Sequence, residues 1–433
     1  MEVIKPDRTL YTELPGIYYS TREYPNVFRI QIRMRDLIDP EVLREAVDAA
    51  MERYPYFCVE LRREESGEWS FSFNNRPVAL LHSTTGAELN APESDFHLLS
   101  FSWHDDWITL DMSHALTDGK GAYELIRTLL HVYCSLRYHA DLPRDGVRIT
   151  GDRIREEEWA DPLAAVEELP AVSLPVFAPP LDIRRELGLA EDRKKTVYSL
   201  AVPEPEFVRF NTRHDGSPAT MISLLLSRAL ARLCPDSADT IRVGMYIDWR
   251  SALRAPLAHQ CLVGTINLEY KKKMRSWPLH RQATAYRGMV FAQTQEEAIL
   301  AEVAAEKAFI ERIRAEKSDG ERLKLAEGAV EAASRLYSLT VSYVGKADFK
   351  GAESYIRDFR TWTCSNTTPI LVEISAVNDR FTLDFIQNFH SPVLVNALLA
   401  ELQENGIRCE LQDVRDLRLP GIRHPWLDDS GGR

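Results

Sequence analysis

Residues 112–119 read Met-Ser-His-Ala-Leu-Thr-Asp-Gly and combine two side chains of acid–base chemistry at a short spacing. Histidine changes its charge close to neutral pH, so His114 suits the role of a general base that takes a proton from an attacking hydroxyl or amine. Asp118 and Gly119 complete the pattern His-x-x-x-Asp-Gly. A purely structural interpretation also fits, with His114 an ordinary buried histidine and Asp118 a helix cap. The motif alone leaves both interpretations open.

The residues on either side of the motif predict a turn between a strand and a helix. Residues 107–112 alternate apolar and polar side chains, which is typical of a half-buried strand. After Gly119, apolar residues recur every three or four positions as far as residue 136, which predicts one apolar helix face. Asp118 is placed to cap this helix by accepting hydrogen bonds from the backbone amides of Lys120 or Gly121. Such a turn would hold an imidazole rigidly, as a general base requires.

A second pair with the same spacing serves as a control. His424 and Asp428 are also four residues apart, but they lie in a tail that contains proline and glycine. No strand pattern precedes this pair and no helix pattern follows it. We therefore interpret it as accidental, and we predict a mobile tail from Pro420 onward.

Three further segments accompany the motif. A predicted helix in 39–60 runs into Arg-Tyr-Pro-Tyr-Phe at 53–57, Asp-Trp-Arg occupies 248–250, and Ser-Tyr-Val-Gly occupies 342–345. With these segments the chain resembles the CoA-dependent acyltransferase superfamily. That superfamily includes chloramphenicol acetyltransferase, peptide-synthetase condensation domains, plant BAHD acyltransferases and alcohol acetyltransferases.

The resemblance implies a role for each matching residue. His114 corresponds to the catalytic general base, and Asp118 and Gly119 to the rest of the motif, with Asp118 in a structural role. Arg250 corresponds to the arginine that pairs with the motif aspartate, although a solvated arginine in a loop fits the sequence equally well. Ser342 is a candidate for stabilising the oxyanion, and backbone amides are the alternative. The implied reaction moves an acyl group from acyl-CoA, a co-substrate, to a hydroxyl or amine of a small acceptor, without a covalent acyl-enzyme and without a bound cofactor.

The resemblance also implies an α/β fold of two chloramphenicol acetyltransferase-like lobes, each a mixed sheet packed with helices, with an active-site tunnel between them. We expect residues 1–165 to form the N-terminal lobe that carries His114, and residues 196–433 to form the C-terminal lobe. Residues 166–195 are the expected crossover, because prolines punctuate a charged stretch from 140 to 195.

Two departures from the resemblance narrow the subgroup. Condensation domains carry two adjacent histidines, whereas Ser113 precedes His114 here, and the Asp-Phe-Gly-Trp-Gly signature of plant BAHD enzymes is missing. A small-molecule acyltransferase such as an alcohol acetyltransferase is therefore the nearest relative implied. Two alternatives stay open, namely a condensation-type domain that takes acyl groups from an acyl carrier protein, and a non-catalytic binding module of the same fold.

Composition limits the partners. The chain has 433 residues, is 45% hydrophobic and 27% charged, and has a net charge of -12, which indicates a globular protein with a large core. The negative charge argues against a nucleic-acid groove or an anionic membrane surface. Lys271, Lys272 and Lys273 are candidates for meeting the phosphates of CoA, and a run of surface charge fits them as well.

The cysteines and the hydropathy pattern point to a cytoplasmic protein. The chain has neither an amino-terminal signal pattern nor an apolar run long enough to span a membrane. Six cysteines are scattered without Cys-x-x-Cys spacing, which predicts reduced thiols and neither disulfides nor a zinc site; they are Cys58, Cys134, Cys234, Cys261, Cys364 and Cys409. We expect no metal, and we interpret His-Asp-Asp at 104–106 as a polar hairpin turn.

Periodicity predicts the other elements. Strands are expected at 27–34, 57–61, 69–73, 78–81, 96–103, 196–202, 241–247, 262–270, 336–344, 370–377 and 381–386. Helices are expected at 40–54, 205–214, 219–233, 276–317 as one or two helices, 321–335 and 392–402. Neither a Gly-x-Ser-x-Gly hydrolase elbow nor a complete phosphate loop occurs.

Overall fold

The protein is described by a computed structural model that covers residues 14–20, 25–63, 69–166, 177–192, 194–363 and 368–424. The strands are β1 (Val27–Met34), β2 (Val59–Arg63), β3 (Trp69–Phe73), β4 (Leu80–His82), β5 (Leu99–His104), β6 (Trp107–Ser113), β7 (Thr196–Pro203), β8 (Ile241–Asp248), β9 (Val263–Tyr270), β10 (Leu339–Tyr343), β11 (Ile356–Thr363), β12 (Ile370–Val377), β13 (Arg380–Gln387) and β14 (Glu410–Asp416).

The α-helices are α1 (Leu14–Tyr19), α2 (Pro40–Arg53), α3 (Gly119–Tyr138), α4 (Ile183–Leu187), α5 (Glu204–Arg213), α6 (Pro218–Leu233), α7 (Leu279–Gln293), α8 (Glu296–Ala315), α9 (Asp319–Ser334) and α10 (Val393–Glu404). Their starts follow ordinary capping chemistry. Asp39, for example, accepts from two backbone amides at the start of α2, and Pro40 occupies the first helical position.

The first sheet has five strands in the order β11-β1-β6-β5-β4. Its neighbours are antiparallel except for the parallel pair β4 and β5. The turn between β5 and β6 contains Asp105 at a positive φ of 50°, so residues 104–106 form the predicted hairpin turn. Helices α2 and α3 pack against each other and bury their apolar faces in the core of this sheet.

The second sheet has seven strands in the order β14-β7-β13-β12-β10-β8-β9. Strand β10 pairs in parallel with β12 and β8, and the other neighbours are antiparallel. A separate core forms here, in which helices α6 and α10 pack together beside the sheet. The described residues therefore form two large mixed sheets with two main cores, as the resemblance predicts, and β2 and β3 form a separate two-stranded sheet.

One strand crosses between the two halves of the chain. Strand β11 lies between β10 and β12 in the sequence, yet it pairs with β1 at the edge of the first sheet. Helix α8 also contributes Ile299, Val303 and Ile310 to the core of the first half. The lobe boundaries at 165 and 196 stay a prediction, and a cut in the sequence does not by itself separate the two sheets.

Most predicted elements form within a few residues of their expected bounds. The stretch 276–317 divides into α7 and α8 near Thr294. Strands β11 and β14 were not predicted, because β11 mixes charged and aromatic residues and β14 is a polar edge strand. Helices α1 and α4 were missed because they are short.

The structure corrects the prediction of a mobile tail from Pro420 onward. Leu89 bonds to both Gly421 and Arg423 through the backbone, at 2.9 Å each, and Ile422 forms a bridge to Leu89. Residues 420–424 are therefore docked on the first lobe, so the prediction of mobility from Pro420 is wrong there. The backbone pairing is a long-range contact that composition does not reveal. Residues 425–433, including Asp428 of the control pair, lie outside the described residues.

The five described cysteines are free thiols; Cys364 lies outside the described residues. Within the described ranges, no helix is long and apolar enough to cross a bilayer. The same residues contain no group of three or more His, Cys, Asp or Glu side chains placed to hold a metal ion.

Candidate active site

His114 lies on the turn that joins β6 to α3. Its backbone amide donates to the carbonyl of Asn26 at 2.8 Å, which continues the pairing between β6 and β1 for one residue beyond the strand. Asp118 then caps α3, and its carboxylate accepts from the amides of Lys120 at 3.0 Å and Gly121 at 3.1 Å. The predicted strand, turn and helix cap are all present. The imidazole is thus mounted between two rigid elements.

Arg250 forms the expected ion pair with Asp118. Its two terminal nitrogens donate to the two carboxylate oxygens of Asp118 at 2.8 and 2.9 Å, and both side chains are about 2% exposed. Arg250 also donates to the carbonyls of residues 258 and 260 and to Asp248, while the amide of Leu262 donates to Asp118 at 3.0 Å. Burial alone would lower the pKa of Arg250, but the two carboxylates outweigh it and raise that pKa.

Two glycines allow the second half of the chain to approach this turn. A Cβ atom on Gly119 would lie 2.5 Å from Val344, just beyond β10, and one on Gly121 would lie 2.6 Å from the carbonyl of His259. A side chain at Gly121 would meet backbone of the second half, and one at Gly119 would require the Val344 side chain to move. Gly119 therefore serves packing between the lobes, a use that its place in the motif did not disclose.

A buried polar network supports the loop that carries Arg250. Arg148 donates to Nε2 of His259 at 2.7 Å, so the other ring nitrogen carries the proton and donates to Tyr56 at 2.6 Å. Tyr56 in turn donates to Glu158, which also forms a two-bond ion pair with Arg53. The segment 53–57 thus helps to fix residues 258–260. Sequence reasoning located that segment but missed its partners.

The His114 ring faces a cavity. It packs on Phe28 with ring centroids 4.7 Å apart, and its Nδ1 lies 4.0 Å from the sulfur of Cys261. Burial lowers the pKa of His114, although the charge of Asp118 and a hydrogen bond with the backbone of Thr117 oppose that effect. The ring is therefore neutral at pH 7 and able to accept a proton.

The cavity lies between the two lobes and has a volume of about 570 Å³, within the range of small-molecule sites. Both halves of the chain contribute to its walls. The side chains with polar or aromatic groups in this lining include Tyr19, His114, Lys120, Tyr246, Trp249, Cys261, Glu302, Glu306, Ser342, Tyr343 and Glu373. His114 and Ser342, predicted from separate segments, thus line one cavity.

The Ser342 side chain forms a hydrogen bond with a buried acid, Glu373. It lies opposite Glu373 in the register of β10 and β12, and the two side chains share a hydrogen bond. Burial raises the pKa of Glu373 to about 8, and the negative charge of Asp384 adds to that rise. The hydrogen bond with Ser342 opposes only part of it. Glu373 is consequently protonated for the most part at pH 7. Sequence analysis predicted the strand that contains Glu373 but did not identify this residue as part of the site.

Two more acids from α8 reach the cavity. Glu302 accepts from the indole nitrogen of Trp249 at 3.1 Å and from the amide of Thr265 at 2.8 Å, and burial raises its pKa. Burial and the neighbouring charge of Glu302 raise the pKa of Glu306 to about 7. Sequence analysis missed both, since α8 is rich in charged residues and reads as a solvated helix. The sequence feature that could have identified Glu302 and Glu306 is their position beside the apolar stripe of α8.

The three lysines predicted to meet the phosphates of CoA do not line this cavity. Strand β9 begins at the cavity with Val263 and ends at Tyr270, and Lys271, Lys272 and Lys273 follow that far end. Eight strand residues span roughly 25 Å. All three are exposed, and Lys271 pairs with Glu269 at 2.9 Å. Their assignment to CoA phosphates stays a prediction that no contact of the structure supports.

Comparison of sequences finds no relative. No protein-family model matches the chain. No curated protein sequence matches it either.

Comparison of structures does find neighbours. Polyketide synthase associated protein 5 from Mycobacterium tuberculosis has a TM-score of 0.61 at 14% identity, over 91% of this chain and 98% of that one. F. graminearum TRI101, complexed with coenzyme A and T-2 mycotoxin, has a TM-score of 0.61 at 10% identity, over 93% and 99%. The first condensation domain of the CDA synthetase has a TM-score of 0.59 at 13% identity, over 94% and 96%.

These neighbours span nearly the whole chain and share one architecture. The protein has the two-lobed fold common to chloramphenicol acetyltransferase-like acyltransferases and condensation domains, as the motif and its accompanying segments predicted. At this level of identity the likeness concerns the fold.

Proposed function

We propose that the protein is an acyltransferase that moves an acyl group from an acyl-CoA thioester to a hydroxyl or amine of a small acceptor, with His114 as the general base. The observation that carries this proposal is a neutral imidazole open to a cavity between two lobes. A cavity with walls from both lobes suits a reaction in which two substrates must be aligned. That TRI101 was crystallised with coenzyme A on the same fold supports the choice of donor.

The reaction needs a single base. The acceptor oxygen or nitrogen attacks the thioester carbonyl as its proton passes to His114, and a tetrahedral oxyanion forms. When the carbon–sulfur bond breaks, His114 returns the proton to the departing thiolate. The products are an ester or amide and free CoA thiol, so atoms and charge balance without another reactant.

Direct transfer is favoured over a covalent acyl-enzyme. A thioester is already activated, so no protein nucleophile is required. The thiol nearest to His114 belongs to Cys261, whose pKa is raised chiefly by burial and also by the charge of Asp118. A thiol that resists ionisation is a poor nucleophile, so Cys261 is better suited to packing than to catalysis.

Asp118 acts as a positioning residue. Every hydrogen bond that the structure gives its carboxylate goes to the helix start, to Arg250 or to Leu262, and these bonds fix the turn that carries His114. For the oxyanion, the Ser342 hydroxyl and backbone amides remain the two candidates. A protonated Glu373 that donates to Ser342 would leave the serine hydroxyl free to donate into the cavity.

The experiment is an assay of thiol release with a series of acyl-CoAs, alcohols and amines. General-base help contributes about 10²- to 10⁴-fold, so His114→Ala should lose at least about a hundredfold in turnover while its melting temperature stays near that of the parent. His104→Ala is the control, because that histidine is half-buried and lies outside the cavity lining. A loss below about tenfold would remove the base assignment.

The identity of the donor is tested in the same assay. Condensation domains are among the structural neighbours, so an acyl group loaded on a carrier protein is compared with the same group on CoA. Turnover only from the carrier would replace the CoA proposal. Failure of every thioester to react would favour a non-catalytic binding module.

A further inference from the structure

The cavity contains more acid than its cations can balance. Its lining includes the carboxyls of Asp118, Asp248, Glu302, Glu306 and Glu373. The cations in the lining are Arg250 and Lys120, and both are already engaged: Arg250 holds Asp118 and Asp248, and Lys120 lies 2.7 Å from Asp248. The three glutamates are therefore left without a cation in the described part of the chain.

Glu306 differs from the other two glutamates. Glu302 accepts two hydrogen bonds, and Glu373 is bonded to Ser342. Glu306 is half-buried in the wall of the cavity and has no hydrogen-bond or ion-pair partner among the residues that the structure covers. A carboxyl in a cavity wall loses part of its hydration, and without a partner it gains nothing in return, so its presence points to a ligand that supplies the missing partner.

The position of Glu306 on α8 supports this interpretation. Val303 and Ile310 precede and follow it by three and four residues, on the same face, and both are fully buried. A leucine or isoleucine at position 306 would extend the apolar stripe at no electrostatic cost. The chain instead carries an acid at a point where this helix face meets the cavity, which Glu302 and Ile310 also line.

Glu306 lines the same cavity as His114 and Cys261. It influences the pKa of both Tyr19 and Cys261, in each case as an addition to the larger effect of burial. The sulfur of Cys261 is in turn 4.0 Å from His114. Aromatic rings of Tyr19 and Trp249 line the same cavity, and such rings attract an organic cation.

We propose that the acceptor carries a cationic nitrogen, which Glu306 binds as an ammonium–carboxylate pair while the group to be acylated lies at His114. This inference rests on the proposed acyl transfer and names its acceptor class: diamines and amino alcohols with a second nitrogen that stays protonated. The reacting amine or hydroxyl loses its proton to His114, and the distal ammonium keeps its own. Glu302, four residues away on the same helix face, adds a second negative charge beside the pair.

The test uses matched acceptors in two measurements. Calorimetry without a donor measures binding of three- to five-carbon diamines, the corresponding amino alcohols and the corresponding diols. The thiol-release assay then measures kcat/KM for each with the best acyl-CoA. We expect cationic acceptors to bind and react at least about tenfold better than diols of equal length, the effect of one charge-assisted contact.

Glu306→Gln keeps the shape of the side chain and removes its charge, and it should abolish that preference. Glu311→Gln removes a charge from the same helix where the side chain is 51% exposed, and it should leave the preference intact. The inference is overturned if diols bind as well as diamines, if no cationic acceptor binds, or if Glu306→Gln retains the preference in folded protein.

The two proposals fail separately. Diamine binding that depends on Glu306, together with no transfer from any thioester, would refute the acyltransferase and retain the cation site. Transfer to neutral alcohols that depends on His114 but not on Glu306 would retain the acyltransferase and refute the cation site. In the His114→Ala background, binding should still favour diamines over diols, because that preference depends on the Glu306 carboxyl.

Discussion

Two carboxylates of this protein, the buried Asp118 and the half-buried Glu306, have opposite surroundings. Asp118 receives hydrogen bonds from Arg250 and from the amides of Lys120, Gly121 and Leu262, so its charge is fully compensated within the fold. Glu306 lies in the cavity wall and receives none among the described residues. A buried carboxylate whose hydrogen bonds are all made within the fold stabilises the structure. A carboxylate without partners on a cavity wall is a candidate for binding a ligand.

The largest effect is expected from Arg250→Ala. It leaves the Asp118 carboxylate buried without its cation, which costs about 3 to 5 kcal/mol of unfolding free energy. Urea denaturation measures this loss. Arg254→Ala is the control, since that side chain is 84% exposed and its loss should change stability by less than about 0.5 kcal/mol. A similarly small loss for Arg250→Ala would show that the ion pair does not hold the lobes together.

Asp118→Asn should have the next largest effect. The amide can still accept bonds at the start of α3, but it cannot form the charged pair with Arg250. We expect a loss of about 1 to 3 kcal/mol in stability, accompanied by lower turnover. Activity lost with unchanged melting would contradict a positioning role and would make Asp118 a direct participant in catalysis.

Glu306→Gln should act in the opposite direction, and its effect should depend on pH. The pKa of Glu306 is raised in the fold to about 7, through burial and through Glu302, and the other ionisable groups it influences are Tyr19 and Cys261. The proton that the fold retains stabilises it at low pH, and this stabilisation is lost as pH rises through about 7. The variant should therefore melt higher than the parent at pH 8, with the difference shrinking toward pH 4.5. A variant less stable at pH 8 would mean that Glu306 has a structural partner.

Cys261→Ala should have the smallest effect. Direct transfer gives this thiol no chemical step, so kcat should stay within about twofold of the parent. Mass spectrometry after mixing with acyl-CoA should detect no acyl group on the protein. An acylated Cys261, or a loss of a hundredfold or more, would instead indicate a covalent intermediate.

The structural role of Asp118 could be predicted from the sequence, whereas the place of Glu306 in the cavity wall could not. Asp118 lies next to a strand pattern and a helix pattern, so its cap follows from local spacing, and the resemblance supplied Arg250 as its partner. Glu302 and Glu306 lie in a helix with many charged residues, where sequence alone does not distinguish an acid facing solvent from one facing a cavity. The position of β11 was hidden for a related reason, since pairing between distant strands leaves no local trace.

The placement of β11 has a practical consequence for anyone who divides this protein into halves. A fragment of residues 1–165 would lack β11, so β1 would become an open edge with unpaired backbone groups and apolar side chains. Such a fragment should self-associate when produced alone. When the remainder of the chain is supplied, its β11 can pair with β1 and join the two fragments. The protein is therefore a natural starting point for a split reporter.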